Sequence, residues 1–320
     1  MRHWLSLLRS GKGLRYVPVV HADSAEFALR VVLRGLPGGP VDVTGDHCPA
    51  SLRPFVLGVR LAVGKVDQAA LARRLWLEIY PPASKAMPLV QLALKPAGQL
   101  PLKQGDLYLF EVARTVNRCL PRLTLWLRYL LAWQNARTAA GRGDALRMSA
   151  RDLRALNAYY VVARPVFLVG ARHGEHASLF PMDLVGALSS GEYLLALRTT
   201  SSGVALMESS RRIAMSSAPA ELLDAVYALG SQHRQPTSDL NTAPVPISTS
   251  PLFGLPILNQ AGLVRELAVE SVERIGSHVL FITRIEREAG SAGRQLAHLS
   301  ETYIEWLRRG QRGCEVLARA

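Results

Sequence analysis

Short apolar runs, separated by glycine and proline, dominate the hydrophobic pattern between residues 14 and 110. Breaks such as "LPGGP", "YPPAS" and "KPAGQLP" divide them. Runs of this kind, rich in β-branched and aromatic residues, are typical of strands joined by turns. The runs are "LRYVPVVHA", "FVLGVRLAV", "LWLEIY", "LVQLALK" and "LYLFEV". The pattern predicts a small β-rich or α/β unit in this part of the chain.

The pattern becomes helical between residues 111 and 160. An amphipathic helix is predicted to begin after Pro121, and Trp126 and Trp133 lie beside its apolar face. The leucines that recur at helical spacing on that face are Leu123, Leu127, Leu130 and Leu131. We expect the face to pack against a domain or a second subunit. Arg122 and Arg128 interrupt the stretch and exclude a transmembrane helix.

A second helix is predicted from Ala150 to Ala158. Ser149 is suited to cap its first turn, with Asp152 three residues further on, and "GRGD" at 141–144 is predicted to form the preceding turn. These features place the boundary between two units after residue 150. We therefore divide the chain into an N-terminal region, 1–150, and a second domain, 151–320.

Strand-like runs return from about residue 161 to residue 290. They are "YYVVARPVFLVGAR", "EYLLALRT", "RIAMSSAP", "LVRELAVESVERIG" and "HVLFITRIERE". The last two are predicted to form a hairpin at Gly276, and a helix is predicted between Pro219 and Gly230. Many short strands with one inserted helix indicate a closed barrel. A final amphipathic helix is predicted over 298–320.

Composition narrows the class of protein. The chain has 320 residues, of which 49% are hydrophobic and 20% charged, which indicates a folded protein with one large or two medium domains. The net charge of +13 would attract a nucleic acid, a membrane surface or an anionic cofactor. The arginines are scattered singly, however, so a solvated basic face is favoured, with neither nucleic acid nor membrane as a partner.

The cysteines and histidines offer little chemistry of their own. Cys48, Cys119 and Cys314 lack a CxxC spacing, which argues against a disulfide framework or a zinc site and favours a reducing, cytoplasmic compartment. The opening segment has too short an apolar core for a secretory signal. His173 and His176 flank Glu175 without a third ligand, so we expect an exposed hairpin tip and no metal. No G-x-S-x-G motif or Cys–His pair indicates a hydrolase.

A cluster of hydroxyl residues follows one of the predicted strands. Arg198 ends the strand and precedes Thr199, Thr200, Ser201 and Ser202, with Gly203 next. A guanidinium, several hydroxyls and a helix N-terminus together suit a phosphate monoester. Taken alone, the cluster is also explained, and more simply, as a Ser/Thr-rich loop that caps the helix.

Residues 158–290 resemble the flavin reductase-like, FMN-binding split-barrel family. The resemblance rests on the order of features: "RPVFLVGA", the "HGEH" turn, "YLLAL", the hydroxyl cluster, "SPLFGLPILNQA" and "RELAVESVERIGSHVLFITRI". The resemblance implies a β-rich α+β protein, with an FMN-binding split β-barrel in its C-terminal half. The β-rich and helical domain before it is of unknown type.

Carried over to this chain, the resemblance implies two groups of cofactor-binding residues. The flavin ring is expected near Ser178, Leu179, Phe180 and Met182. The phosphate is expected near Arg198, Thr199, Thr200, Ser201 and Ser202, with Ser189 and Ser190 as additional contacts. Pro181 would bend its strand so that backbone groups face the ring. The segment "SLFPMDLVG" departs from the family pattern, since Asp183 replaces a small polar residue.

The activity implied is hydride transfer from NAD(P)H to flavin, in a homodimer whose interface completes the site. His278 is either a residue that contacts flavin or nicotinamide, or a turn histidine that bonds a neighbouring strand. The alternatives to a flavin reductase are a non-catalytic flavin-binding or scaffold protein and a flavin enzyme that acts on a small organic substrate. The sequence carries no signature for what residues 1–150 bind. It also carries none for the physiological acceptor or for the choice of NADH or NADPH.

One weak internal similarity connects the two parts of the chain. The segment "GDHCPASLRPFVLGVRL" shares Gly, an acid, His and Ala-Ser-Leu-x-Pro with "GEHASLFPMDLVGAL". A decayed second barrel would explain it, but chance similarity between two hairpins is the favoured interpretation.

Overall fold

A computed structural model describes residues 14–19, 29–61, 74–82, 87–139, 148–231, 240 and 243–309. The predicted "GRGD" turn and Cys314 lie outside the described residues. Far more of the described residues lie in strands than in helices, so the predicted β-rich α+β class is confirmed. Cys48 and Cys119 are buried free thiols.

Eight described strands precede residue 118, and all but the first of them form one sheet. These are β1 (Leu14–Val19), β2 (Arg30–Arg34), β3 (Val41–Asp42), β4 (His47–Leu52), β5 (Phe55–Leu61), β6 (Leu75–Tyr80), β7 (Val90–Pro101) and β8 (Asp106–Asn117).

The remaining strands follow residue 163. These are β9 (Arg164–Pro165), β10 (Phe167–His173), β11 (His176–Met182), β12 (Val185–Ala187), β13 (Glu192–Arg198), β14 (Arg212–Ser217), β15 (Ile247–Thr249), β16 (Pro256–Leu258), β17 (Leu263–Ile275), β18 (His278–Gly290) and β19 (Gln295–Ser300).

Five α-helices lie between or after these strands in the described part of the chain. They are α1 (Arg122–Ala139), α2 (Ala150–Tyr159), α3 (Ser202–Ser210), α4 (Leu223–Ser231) and α5 (Glu301–Arg309), and a 3₁₀ turn at Ala220–Leu222 leads into α4. Ser149 caps α2 as predicted, since its hydroxyl accepts a hydrogen bond from the Asp152 N–H at 3.0 Å.

The chain folds into two seven-stranded antiparallel sheets with the same strand order. The first sheet has the order β3-β2-β6-β7-β8-β5-β4, and the second has β11-β10-β14-β17-β18-β13-β12. When the strands of each sheet are numbered along the chain, both orders become 2-1-5-6-7-4-3. A shared order of this length indicates an internal duplication, which the sequence had left as the less favoured interpretation.

Strand register identifies the equivalent residues of the two sheets. Leu57 pairs with Phe110 in the first sheet, and Leu195 pairs with Phe281 in the second. Each phenylalanine lies five residues after a glycine of positive φ, Gly105 or Gly276. By this register Arg60, which pairs with Leu107, corresponds to Arg198, which pairs with His278.

The internal similarity noted in the sequence does not follow this register. It aligns β4, the third strand of the first sheet, with β11, the second strand of the second sheet. Equivalent strands are β4 and β12, so this particular match is a chance one. The duplication is visible in the strand order and not in that motif.

The two sheets share the largest hydrophobic core. Leu57 and Phe110 of the first sheet lie in the same buried cluster as Leu194, Leu280 and Ile282 of the second. Full burial of one such side chain contributes about 1.5–3 kcal/mol to folding. A second cluster fills the space between the second sheet and α3, and a third packs α4 against it.

A small sheet joins the two ends of the described chain. Strand β19 pairs with β1 on one side and with β9 on the other. The predicted C-terminal helix begins later than expected, because residues 295–300 form β19 before α5 begins at Glu301, and residues 310–320 lie outside the described residues. The predicted domain boundary after residue 150 lies at the first residue of α2.

Two further predictions need correction. The run "YYVVARPVFLVGAR" is not one strand, because α2 extends through Tyr159 and β10 begins only at Phe167. Helix α1 does begin at Arg122, but the buried position is Leu125, while Leu123 and Trp126 are 64% and 53% exposed. Since leucine occupies positions on several sides of this helix, helical spacing alone did not identify the packed face.

Candidate functional site

The hydroxyl cluster lies where β13 passes into α3. Arg198 ends the strand, Thr199 and Thr200 form an exposed turn, and Ser201 caps the helix by accepting a hydrogen bond from the Gly203 N–H at 3.4 Å. Gly203 is required because a Cβ there would lie 2.5 Å from the ring of Phe180. The N-terminus of α3, the positive end of its helix dipole, thus follows directly after Arg198 and the hydroxyl residues 199–201.

Two other turns meet this cluster. The Thr199 N–H donates to the Ser277 carbonyl at 3.1 Å, and the Ser277 N–H donates to the Arg53 carbonyl at 2.9 Å. Ser277 lies in the turn between β17 and β18, and Arg53 lies in the turn between β4 and β5 of the first sheet. We call this meeting of three turns the Arg198 junction.

Glycine is required at the centre of the Arg198 junction. Gly276 has φ +54°, and a Cβ there would lie 2.4 Å from the Arg53 carbonyl oxygen and 2.9 Å from the ring of Pro54. The left-handed backbone and the close approach both exclude a side chain. The hairpin predicted at Gly276 is confirmed, and its turn fixes the two sheets to each other.

His278 is buried beside the cluster. Its Nδ1 accepts the Leu52 N–H at 3.4 Å and lies 2.9 Å from the Ser277 hydroxyl. This hydrogen bonding assigns the ring proton to Nε2, which has no partner within the described part of the chain. Burial, and then the charge of Arg198, lowers the pKa of His278 to about 4. The ring is therefore neutral at pH 7, and it is hydrogen-bonded to β4.

The side chains expected near the flavin ring are buried in two different cores. Phe180 and Met182 lie in the core beneath α3, whereas Leu179 faces the core that α4 covers. Ser178 is also buried. Since β11 is the edge strand of the second sheet, its backbone edge is what this strand offers to a ligand.

Pro181 does not interrupt its strand. The pairing of β10 with β11 runs from His173–His176 to Phe167–Met182 without a shift, and Leu168 pairs with Pro181. The strand β11 therefore continues through Pro181 to Met182. An edge strand tolerates proline because one side of its backbone needs no ladder hydrogen bond.

Ser189 lies at the far end of β13 from Arg198. The seven residues of β13 span about 20 Å at the usual rise of a strand. Ser189 there donates from its hydroxyl to Asp46 of the first sheet, with oxygen separations of 2.9 and 2.8 Å. The structure therefore brings Arg198 and residues 199–202 together, but it separates Ser189 from them. The hydroxyl of Ser190 is buried without a partner within the described part of the chain.

A buried polar cluster also lies where the sheets meet. Arg164 donates to the Tyr159 hydroxyl at 3.4 Å and to the carbonyl of Val185, and His47 Nδ1 lies 2.7 Å from the same hydroxyl. Burial, and then the charge of Arg164, lowers the pKa of His47 to about 3. The sequence showed no pattern for this cluster, because its members are distant along the chain.

Asp183, the residue that departs from the family pattern, lies next to this cluster and has two side-chain partners. It accepts a hydrogen bond from the Tyr160 hydroxyl at 2.9 Å and is paired with His298 Nδ1. Burial raises the pKa of Asp183, but the charge and hydrogen bond of His298 outweigh it and leave the pKa below its usual value. Asp183 therefore connects β11, α2 and β19, which is a structural use of the residue.

The histidines of the β10–β11 turn are exposed, as expected for a hairpin tip. Gly174 has φ +58°, and His173, Glu175 and His176 all face solvent. Within the described residues, no three His, Cys, Asp or Glu side chains group in a way that would hold a metal ion. In the same part of the chain, no helix has the length and hydrophobicity to span a membrane.

Solved structures similar to this chain are FMN-binding proteins and flavin reductases. An FMN-binding protein from Thermus thermophilus with bound p-hydroxybenzaldehyde is 24% identical, with a TM-score of 0.37, over 41% of this chain and 74% of its own. An NADH:FAD oxidoreductase of Streptomyces globisporus is 15% identical, with a TM-score of 0.41, over 46% and 88%. A flavin reductase in its native state is 16% identical, with a TM-score of 0.38, over 44% and 90%.

These are the kinds of protein that the sequence of residues 158–290 resembles. Each similarity covers less than half of this chain. No protein-family profile and no curated protein sequence matches it.

Proposed function

We propose that this chain is an FMN-binding oxidoreductase that holds the FMN phosphate at the Arg198 junction. The observation that carries the proposal is the convergence of Arg198, the hydroxyl residues 199–202 and the N-terminus of α3. A guanidinium, hydroxyl donors and helix N–H groups are the donors that a phosphate monoester accepts from. The donor set therefore fits the phosphate of FMN.

Strand β11 also suits the other end of FMN, the isoalloxazine ring. The edge of β11 offers backbone groups, and the buried Phe180 and Met182 keep that strand in place from below. The neutral His278 adds no charge to the junction and keeps a proton at Nε2. Bound FMN would supply the hydride-accepting chemistry, with NAD(P)H as the donor. The chain itself would bind the phosphate, orient the ring and exclude water.

Titration with FMN tests the phosphate assignment. We expect the purified chain to quench FMN fluorescence at micromolar concentrations, and Arg198→Ala to weaken binding roughly 10- to 100-fold. A hydrogen bond between charged groups contributes about 1.5–3 kcal/mol, which corresponds to that loss of affinity. Arg287→Ala is the matched control, because Arg287 is an exposed arginine of the same sheet that lies nine residues along β18 from His278. Equal affinities of the two variants would contradict the assignment.

Oxidation of NAD(P)H separates an oxidoreductase from a non-catalytic flavin protein. We expect absorbance at 340 nm, roughly the nicotinamide maximum, to fall when NADH or NADPH is added with FMN. His278→Gln should lower the rate without removing FMN binding, because it changes the group beside the site and leaves Arg198 in place. FMN binding without any oxidation of NADH or NADPH would favour the non-catalytic alternative. Oxidation only when an organic acceptor is present would favour a substrate-specific flavin enzyme.

A further inference from the structure

The first sheet turns a basic face toward solvent. Residues that pair directly across neighbouring strands point to the same side of a sheet. One such row crosses β2, β6, β7 and β8 and consists of Arg34, Trp76, Ala93 and Arg114. Leu33 and Leu77, which alternate with this row along their strands, lie in the largest core, so the row faces away from it. The row spans about 14 Å across the four strands.

Three further arginines extend this row into a patch. The guanidinium carbon of Arg30 lies 5.1 Å from the centre of the Tyr80 ring, and that of Arg74 lies 5.1 Å from the centre of the Trp76 ring. Arg118, directly after β8, is the third. The five arginines are exposed, and Trp76 is partly exposed. We call this patch the arginine face, and its members are Arg30, Arg34, Arg74, Arg114, Arg118 and Trp76.

One carboxylate lies on the same side of the sheet. Glu78 is buried and accepts hydrogen bonds from Arg34 and from the Tyr80 hydroxyl. Gln91 connects it to Arg118, since its Nε2 donates to Glu78 at 2.7 Å and its Oε1 accepts from Arg118 at 2.6 Å. Within the described residues, no other carboxylate pairs with an arginine of the face. Five guanidinium groups beside one carboxylate give the face a net positive charge.

The equivalent face of the second sheet is covered by other elements. The Leu258 N–H of β16 donates to Ser216 Oγ of β14 at 3.2 Å, and Leu168 of β10 lies in one buried cluster with Leu258 and residues of α4. Helix α4 and β16 both belong to the connection between β14 and β17, residues 218–262. The corresponding connection in the first sheet, between β6 and β7, is residues 81–89, which is too short for a helix and a hairpin of this kind. The arginine face is therefore exposed where its counterpart is covered.

Arginines around an aromatic ring on a sheet favour single-stranded nucleic acid as the partner. The guanidinium fork binds phosphate oxygens in pairs. Unpaired bases stack on aromatic rings and on guanidinium planes, as on the four-stranded sheets of RNA-recognition domains. Trp76 has Arg34 beside it on β2 and Arg74 over its ring. Surfaces that bind anionic membranes also insert protruding apolar side chains, whereas Trp76 lies within a row of the sheet.

We propose that the arginine face binds single-stranded nucleic acid, with phosphates on the arginines and a base stacked at Trp76. We thereby depart from the expectation that nucleic acid is not a partner. That expectation rested on the scattered positions of the arginines along the chain, whereas strand pairing gathers five of them on one face. The face lies on the first sheet and uses none of the residues assigned to FMN, so this function is independent of the proposed one.

The salt dependence of binding tests the role of the arginines. We expect the full chain to bind a fluorescein-labelled oligothymidylate of about 20 nucleotides at micromolar concentrations, measured by fluorescence anisotropy. The logarithm of the binding constant should fall with the logarithm of the salt concentration, with a slope of about −2.8 if about four phosphates are neutralised. Arg30→Gln combined with Arg114→Gln should reduce the size of this slope by about 1.4.

Two arginines of the second sheet provide the matched control. Arg172 and Arg287 are exposed, and replacing both by glutamine removes the same charge from β10 and β18. This double variant should keep the wild-type slope. Equal slopes in the two double variants would show that the arginine face does not hold the phosphates, and the inference would fail.

Stacking is tested separately from charge. Trp76→Leu should weaken oligothymidylate binding roughly 5- to 100-fold, the loss typical of one stacked base, without changing the salt slope. Circular dichroism and urea unfolding establish whether this variant is folded. An oligonucleotide of the same length without bases makes the same test on the wild-type chain and should bind more weakly by a similar factor. Equal affinity for the two oligonucleotides would overturn the stacking and with it the choice of nucleic acid.

Other anions test the identity of the partner. We expect neither phosphatidylserine vesicles nor polyglutamate to displace the oligothymidylate when supplied at the same concentration of charge. Displacement by the vesicles would assign the face to a membrane surface, and displacement by polyglutamate to an acidic protein, and either result would overturn the inference. Arg198→Ala should bind the oligothymidylate as the wild type does. Failure of the chain to bind FMN would therefore refute the proposed function and leave this inference in place.

Discussion

Gly276→Ala is expected to lower the free energy of unfolding by about 2–5 kcal/mol and to weaken FMN binding. An alanine there costs about 1–2 kcal/mol for its left-handed backbone. It also costs about 1–3 kcal/mol for the crowding of its Cβ against Arg53 and Pro54. Since this turn contacts the first sheet, the substitution should separate the three turns of the Arg198 junction. Urea unfolding and FMN titration of the same preparation measure both effects.

Gly174 provides a control with the same backbone conformation. Its φ is +58°, close to the +54° of Gly276, but a Cβ there would meet no atom within 4 Å. Gly174→Ala should therefore cost only the backbone part, about 1–2 kcal/mol, and leave FMN affinity unchanged. If the two variants unfold at the same urea concentration, the contact between the turns contributes nothing to stability.

Acid is expected to destabilise the chain steeply between pH 6.5 and pH 4, because two buried histidines resist protonation in the folded state. The pKa of His47 is lowered to about 3 and that of His278 to about 4, whereas both return to about 6.5 on unfolding. Below pH 6.5 the unfolded chain therefore binds more protons than the folded chain, and stability falls as the pH falls. Above pH 6.5 both states are neutral at these residues, and their contribution is complete.

The expected slope follows from the number of protons. One proton difference changes the unfolding free energy by about 1.36 kcal/mol per pH unit, so two histidines approach about 2.7 kcal/mol per unit near pH 5. Urea unfolding at intervals between pH 5 and pH 7.5 measures this slope. His47→Gln should halve it, while His173→Gln, at the exposed hairpin tip, should leave it unchanged. A slope that is the same in the wild type and in His47→Gln would exclude His47 as a source of the acid sensitivity.

Local signals in the sequence were sufficient to predict where many elements of the fold begin or turn. Ser149 with Asp152 identified the start of α2, Pro121 identified the start of α1, and Gly276 identified the turn of the long hairpin. Each of these is determined by the conformational preferences of a few neighbouring residues. The grouping of Arg198 with residues 199–202 was predictable for the same reason, since strand end, turn and helix N-cap are consecutive.

Contacts between distant segments were not predictable in this way. Three contacts depend on how the two sheets meet: that of Asp46 with Ser189, that of Arg53 with Ser277 and that of Arg164 with the Tyr159 hydroxyl beside His47. The duplication itself leaves a short signal in the sequence. The segments "GDLYLF" and "GSHVLF" share a glycine and a Leu-Phe pair at the same spacing, and the structure places both at the start of the seventh strand of a sheet.

The pairing of β1 with β19 has a consequence for synthesis of the chain on the ribosome. At about 5–20 residues per second, Leu14–Val19 would wait roughly 15–60 s before Gln295–Ser300 emerges. During that interval the edge of β1 that pairs with β19 lacks its native partner, and unpaired strand edges promote association with other chains. The small sheet is thus a late, long-range contact, and its completion marks the moment when both halves have been made.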